Sequence, residues 1–218
     1  MEGEMMDRSS LFLRAVVSAL WVFTVIMILV KNNRSARILY RLNAFSQTVL
    51  IAALALTLNR NGLWISAVLV LIVKVLVVPR VMASGSYVVE RDYTAHSPVG
   101  MAFVLIITVA VTILGFLVGQ HLYSYPNVTQ SILWGTWLVA LLQMILRYEI
   151  WSEAWGLLNF EIITSSLAVL LVTSFPLISD ILIDLVAVGM ALLLTAYMAL
   201  IRSQYDSVDV RKAGELKG

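Results

Sequence analysis

Seven separate apolar runs, at 10–30, 38–58, 62–82, 98–120, 127–146, 150–174 and 177–201, restrict this chain to a narrow set of folds. A helix rising 1.5 Å per residue needs about twenty apolar residues to cross a hydrocarbon core of ~30 Å, and each run meets that length. With 61% hydrophobic residues, 13% charged residues and a mean hydropathy of +0.92, the chain is too apolar for a soluble globule. The expected fold is an all-α membrane protein, a bundle of about seven transmembrane helices forming one polytopic domain over 1–218.

The connections between runs are short. Asn59-Arg-Asn-Gly62 and Tyr123-Ser-Tyr-Pro126 read as turns, and Phe175-Pro176 closes the sixth run because proline cannot continue a helix. Only 83–97, with Gly85, Glu90, Arg91, Asp92 and His96, is long and polar enough for a surface loop. Seven spans place Lys31, Arg34, Arg37, Arg41, Arg80, Arg91, Arg147, Arg202, Arg211, Lys212 and Lys217 on one side, against Arg8, Arg14 and Arg60 on the other. The crowded side is expected to be cytoplasmic, with the N-terminus outside and a polar cytoplasmic tail over 202–218. The acidic start, 1–7, lacks the basic region and cleavage site of a signal peptide, so the first run is expected to stay in the mature chain.

Composition also removes function classes. The chain has no cysteine, which excludes a cysteine-held iron–sulfur cluster or zinc site. Its two histidines, His96 and His121, fall in connections, so no bis-histidine haem site sits inside the bilayer and no cofactor is expected in this chain. A net charge of +2 with cations at helix ends reports orientation, not nucleic-acid binding. Glycines and alanines inside the runs, Gly115 and Gly119 in the fourth and Ala187, Gly189 and Ala191 in the last, mark close helix approach. Trp64, Trp151 and Trp155 near run ends suggest an interfacial belt, while Trp21 and Trp134 are expected between helices.

Against this background a few polar groups stand out. Glu161 lies at the midpoint of the sixth run, where an ionisable side chain costs about 2.5–3.5 kcal/mol unless it is protonated, paired or hydrated. Thr164 and Ser165 share its helix face. Lys74 lies deep in the third run with only Val70, Leu71, Val77 and Val78 at helical neighbour positions, so its partner must come from elsewhere. Asp180 and Asp184 share a face of the last run, Asp184 being about 10 Å in from its start. Asn43 and Gln47 form an uncharged polar stripe in the second run. A weak internal echo links Leu42-Asn-Ala-Phe45 and Ile65-Ser-Ala-Val-Leu with Leu158-Asn-Phe160 and Ile178-Ser-Asp-Ile-Leu. As a parallel repeat it brings Gln47 to the place of Glu161, and Lys74 within a turn of the place of Asp184.

Arg147, Gly156-Leu-Leu-Asn-Phe-Glu161-Ile-Ile-Thr-Ser-Ser-Leu-Ala, Gly189-Met-Ala-Leu-Leu-Leu, Asp206-Ser-Val and Gly214-Glu-Leu-Lys-Gly218 together resemble the K subunit of respiratory complex I. With Ser66-Ala-Val-Leu-Val-Leu-Ile-Val-Lys74-Val-Leu-Val-Val-Pro79-Arg-Val-Met82, the chain resembles hydrogenase-4 component E, a membrane subunit of group 4 nickel–iron hydrogenases. The resemblance divides the domain into a three-helix part at 10–82, a fourth helix at 98–120 and a K-subunit-like part at 127–201. It implies a non-catalytic, non-redox subunit of an oxidoreductase complex in a prokaryotic inner membrane, beside antiporter-like subunits, with nickel–iron and iron–sulfur centres in partner subunits. Glu161 then belongs to a line of ionisable residues that conducts protons, joined by Lys74, Asp184 and Asp180. Asp184 falls one residue from the family's third-helix carboxylate when Gly189 is matched to its glycine, and Ser165 stands where an asparagine is frequent. The rival readings are a subunit of a multi-subunit Na+/H+ antiporter and a purely structural membrane spacer.

Overall fold

The computed structural model describes residues 2–30, 32–86, 100–122, 127–146, 150–171 and 177–205, and side-chain surroundings for 10–30, 32–84, 100–122, 127–146, 151–171, 178–179 and 181–200. Within these, α1 spans Glu2–Leu29, α2 Asn33–Leu58, α4 Met101–His121, α5 Val128–Leu146, α6 Ile150–Leu171 and α7 Leu177–Tyr205. The third helix, α3, is unbroken but changes its winding: α over Asn61–Val70, π over Leu71–Val77 and α again over Val78–Ser86. Among the described residues seven helices are long and apolar enough to cross a bilayer, which makes this a multi-pass membrane protein by length and composition. The turn at 123–126, the proline stop at 175–176, most of the loop expected at 83–97 and the tail from 206 lie outside the described residues.

Short polar residues set the helix boundaries. Asn32 Oδ1 accepts a bond from the Arg34 backbone N–H at 2.9 Å, capping the start of α2. At its end Asn59 adopts the left-handed conformation (φ 51°) and its N–H bonds Ala55 O, as the Asn59-Arg-Asn-Gly62 turn requires. Asn127 Oδ1 likewise accepts from the Thr129 N–H at 3.0 Å at the head of α5.

The helices pack with α2 and α6 at the centre. Of their most apolar windows 67% and 61% is buried, against 17% for α4 and 22% for α7, which are therefore peripheral. Contacts between α2 and α6 climb both helices together, Asn43 to Asn159 and then Gln47 to Ser165, so the two run parallel. The same holds for α3 and α7, which meet first at Lys74 and Asp184 and later at Met82 and Thr195. Neighbours α4 and α5 are antiparallel, since Gly115 faces Gly135 while Gly119 faces Ser131. These are the relative directions a parallel repeat of α2–α3 and α6–α7 needs.

Helices α4 and α5 approach closely at their glycines, as Gly115 and Gly119 led one to expect. A Cβ on Gly115 would come within 2.6 Å of Gly135 Cα, and one on Gly119 within 2.7 Å of Ser131 Cα. Gly115→Val is thus expected to push two backbones apart, costing about 1–3 kcal/mol and visibly lowering the thermal midpoint in detergent. An unchanged midpoint would mean that α4 docks by some other surface.

Two expectations about packing need correction. A Cβ on Gly189 would meet nothing within 4 Å among the described residues, so Gly189 mediates no close approach there, while Ala187 and Ala191 are buried small residues of α7. Trp151 and Trp155 are not belt residues facing headgroups but are packed inside, at 6% and 1% exposure, whereas Trp64 is exposed. Their position near a span end fixed their depth but not the direction they face, because α6 is surrounded by other helices.

Candidate functional site

Lys74 is fully buried at the centre of the bundle. Its Nζ lies 2.8 Å from Glu161 Oε1 on α6, 3.3 Å from Asp184 Oδ1 on α7 and 3.4 Å from Gln47 Oε1 on α2. The ammonium has three donors and no acceptor, and three helices each supply one oxygen. None of its own helix neighbours contributes, in keeping with the apolar residues at its helical neighbour positions. Glu161 stands eleven residues from Ile150 and ten from Leu171, and Gln47 fourteen from Asn33 and eleven from Leu58, so the centre lies near mid-bilayer depth.

The winding of α3 explains how the lysine is presented. Its buried positions Val70, Lys74, Val78 and Met82 recur every four residues. In an ideal α-helix, at about 100° per residue, Met82 would sit roughly 120° away from the Val70 face. The π turn removes that drift, and the Val78 N–H reaches back to Val73 O, five residues earlier. Pro79 accounts for its location: proline lacks an N–H and its ring crowds the carbonyl four residues before it, that of Val75, so the helix opens just ahead of the proline. Lys74 sits at the middle of the widened turn.

A second, neutral polar node adjoins the ionic one. Asn43 Nδ2 donates to Asn159 Oδ1 at 2.7 Å and to Thr24 Oγ1 at 3.2 Å. Asn159 Nδ2 in turn donates to Gln143 Oε1 at 3.3 Å and to Thr24 Oγ1 at 3.4 Å. All four side chains are buried, and they tie α1, α2, α5 and α6 together. Gln47 bridges the two nodes in character, since it donates to Ser165 Oγ at 2.9 Å while its oxygen faces Lys74. Asn43 and Gln47 therefore both bond neighbouring helices.

Thr164 departs from expectation. It is exposed, it accepts from Trp137 Nε1 at 3.0 Å and it donates to the Phe160 carbonyl at 2.8 Å, so its hydroxyl is spent away from Lys74. Its position three residues from Glu161 places it on the outer flank of that face, along an open groove of about 420 Å³ between α6 and α7. Glu161 lines this groove with Thr164 and Ser165 among apolar side chains, although its Oε2 atom is buried. The side chain of Asp180 lies outside the described residues, although its backbone belongs to α7.

Composition and spacing do not single out Tyr40, Thr24 or Gln143, and Asn159 stands out only as part of a motif. For Asn159 and Gln143 a signal existed: amide side chains deep in apolar runs seek partners on other helices. No family model matches the chain, and neither a curated protein nor a solved structure matches it.

Proposed function

We propose that this chain is a non-redox membrane-arm subunit of a complex I-related assembly of the group 4 hydrogenase type, and that it lends mid-membrane ionisable groups to proton translocation. The observation that carries the reading is one amine held between two carboxylates, with Lys74 and Asp184 buried and the Glu161 side chain 12% exposed. With every group ionised the centre would carry one net negative charge in a medium where uncompensated charge is strongly disfavoured. It therefore favours holding one additional proton, shared by Glu161 and Asp184 across the lysine. Two acceptors of like chemistry on two helices, with one mobile proton and an ammonium that can lean toward either, make a relay whose state changes when a neighbouring charge moves.

On this reading the nickel–iron and iron–sulfur centres belong to partner subunits, antiporter-like subunits flank the chain, and the assembly resides in a prokaryotic inner membrane. The N-terminus faces outward and the C-terminus the cytoplasm, in line with the positive-charge asymmetry. Asp180, one turn before Asp184, extends the relay toward the start of α7.

Glu161→Gln tests the proposal in the intact complex. The amide keeps the size of the side chain and removes its titration, so assembly and hydrogen turnover should persist while proton uptake into vesicles falls by about a hundredfold. Full proton uptake would reduce the chain to a structural spacer. Isolation with antiporter subunits alone, without nickel–iron and iron–sulfur polypeptides, would assign it instead to a multi-subunit Na+/H+ antiporter.

A further inference from the structure

Tyr40 is completely buried, yet its hydroxyl has no hydrogen-bond partner among the described residues. An unbonded buried hydroxyl costs about 1–3 kcal/mol, and a phenylalanine would fill the same volume without that penalty. Asn43 Oδ1, one turn along α2 from Tyr40, and Glu161 Oε2 share the condition. Buried groups of this kind are ordinarily satisfied by an internal water with two to four polar partners.

The position of Tyr40 gives that water a direction. Asn33, Tyr40 and Gln47 recur every seven residues on α2, so Tyr40 lies about 10 Å from the helix start and about 10 Å from Gln47 at the ionic centre. Its ring packs on Trp155, with centroids 5.2 Å apart, and the Trp155 indole N–H donates to Asn33 Oδ1 at 2.6 Å. The phenol is thus held rigidly between the N-terminal ends of α2 and α6 and the carboxylates. The groove between α6 and α7, which Glu161 also lines, presents a largely apolar surface.

We propose that the Tyr40 hydroxyl binds a buried water and relays protons between it and the Glu161–Lys74–Asp184 centre, so that the centre is reached from the side where α2 and α6 begin. The inference rests on the proton-translocation reading above and adds a route and a relay residue to it. No carboxylate among the described residues lies within bonding distance of the phenol, so in each transfer its oxygen gains a proton from one water, reprotonated from the side where α2 and α6 begin, as its own proton passes through a second water to a carboxylate. One O–H bond forms as another breaks, and the phenol is neutral before and after.

The test is deuterium exchange of the shared carboxylic-acid proton, followed in the whole complex by the infrared carbonyl band of protonated carboxyls after transfer to D2O. Glu161→Gln and Asp184→Asn identify the band. Tyr40→Phe should slow its exchange about tenfold or more while leaving thermal stability equal or higher, since a purely structural phenol has nothing to lose but an unbonded hydroxyl. Exchange at the unaltered rate in Tyr40→Phe, with the band assigned, overturns the relay and leaves the ionic centre standing. If neither carboxylate substitution alters the spectrum, the shared proton fails and the relay with it. Incorporating a ring-fluorinated tyrosine at position 40, which keeps ring and hydroxyl but acidifies the phenol, covers the case in which the phenylalanine variant does not assemble; an unchanged rate there also overturns the relay.

Discussion

Lys74→Met is expected to abolish proton translocation and to destabilise the assembled subunit by about 3–5 kcal/mol, the usual cost of leaving a buried ion pair with one partner. The methionine fills much of the lysine stem's volume, so the loss is electrostatic: Glu161 and Asp184 would face each other across an apolar side chain, and Gln47 Oε1 would lose its donor. The decisive comparison is with the neutral triple variant Lys74→Met/Glu161→Gln/Asp184→Asn. It removes the amine and both negative charges together, so most of the lost stability should return while transport stays absent. Yield of the intact complex and its thermal midpoint read the first quantity, and vesicle proton uptake the second. A single variant as stable as the parent would show that the lysine is not needed to balance charge, and the relay would lose its basis.

How much of this was legible beforehand depends on the kind of group. Glu161 and Lys74 announce themselves because a charge at bilayer depth has few inexpensive explanations, and the apolar neighbours of Lys74 already imply a partner on another helix. The number and extent of helices follow from the lengths of the apolar runs. The identity of the partners does not, because Lys74 and Glu161 are 87 residues apart and nothing local encodes their meeting. The echo between the α2–α3 and α6–α7 segments came nearest. Gln47, Lys74, Glu161 and Asp184, the positions it relates, do converge on one point.

Other features were hidden for physical reasons. The π turn leaves a trace in the four-residue recurrence of Val70, Lys74, Val78 and Met82 ahead of Pro79, but a uniformly apolar helix offers no polar face against which to notice the drift. Tyr40 near a helix start reads as an interfacial aromatic, and only the surrounding helices reveal that its hydroxyl is enclosed. Thr164 was assigned to the Glu161 face by spacing alone, which cannot tell the inner flank of a stripe from the outer one.

Asn159→Leu should produce the largest purely structural loss. The leucine matches the amide in size but removes an acceptor for Asn43 and the donors to Gln143 and Thr24. Asn43 retains only its bond to Thr24, and Gln143 Oε1 loses its Asn159 donor, in a site that is fully enclosed. Interhelical bonds in membrane bundles average about 0.6 kcal/mol each, whereas a buried polar group left unsatisfied costs about 1–3 kcal/mol, so the second quantity governs and a drop of about 2–4 kcal/mol follows. Because four helices meet at this node, the loss should appear as reduced recovery of the folded subunit, not as a selective defect in transport. Pairing Asn159→Leu with Asn43→Leu supplies the control: replacing both amides removes most of the stranded donors, so the double variant should be less impaired than the two single losses added together. Strict additivity of the two substitutions in the unfolding midpoint would mean that the amides act independently, and the node would be no more than four unrelated side chains in proximity.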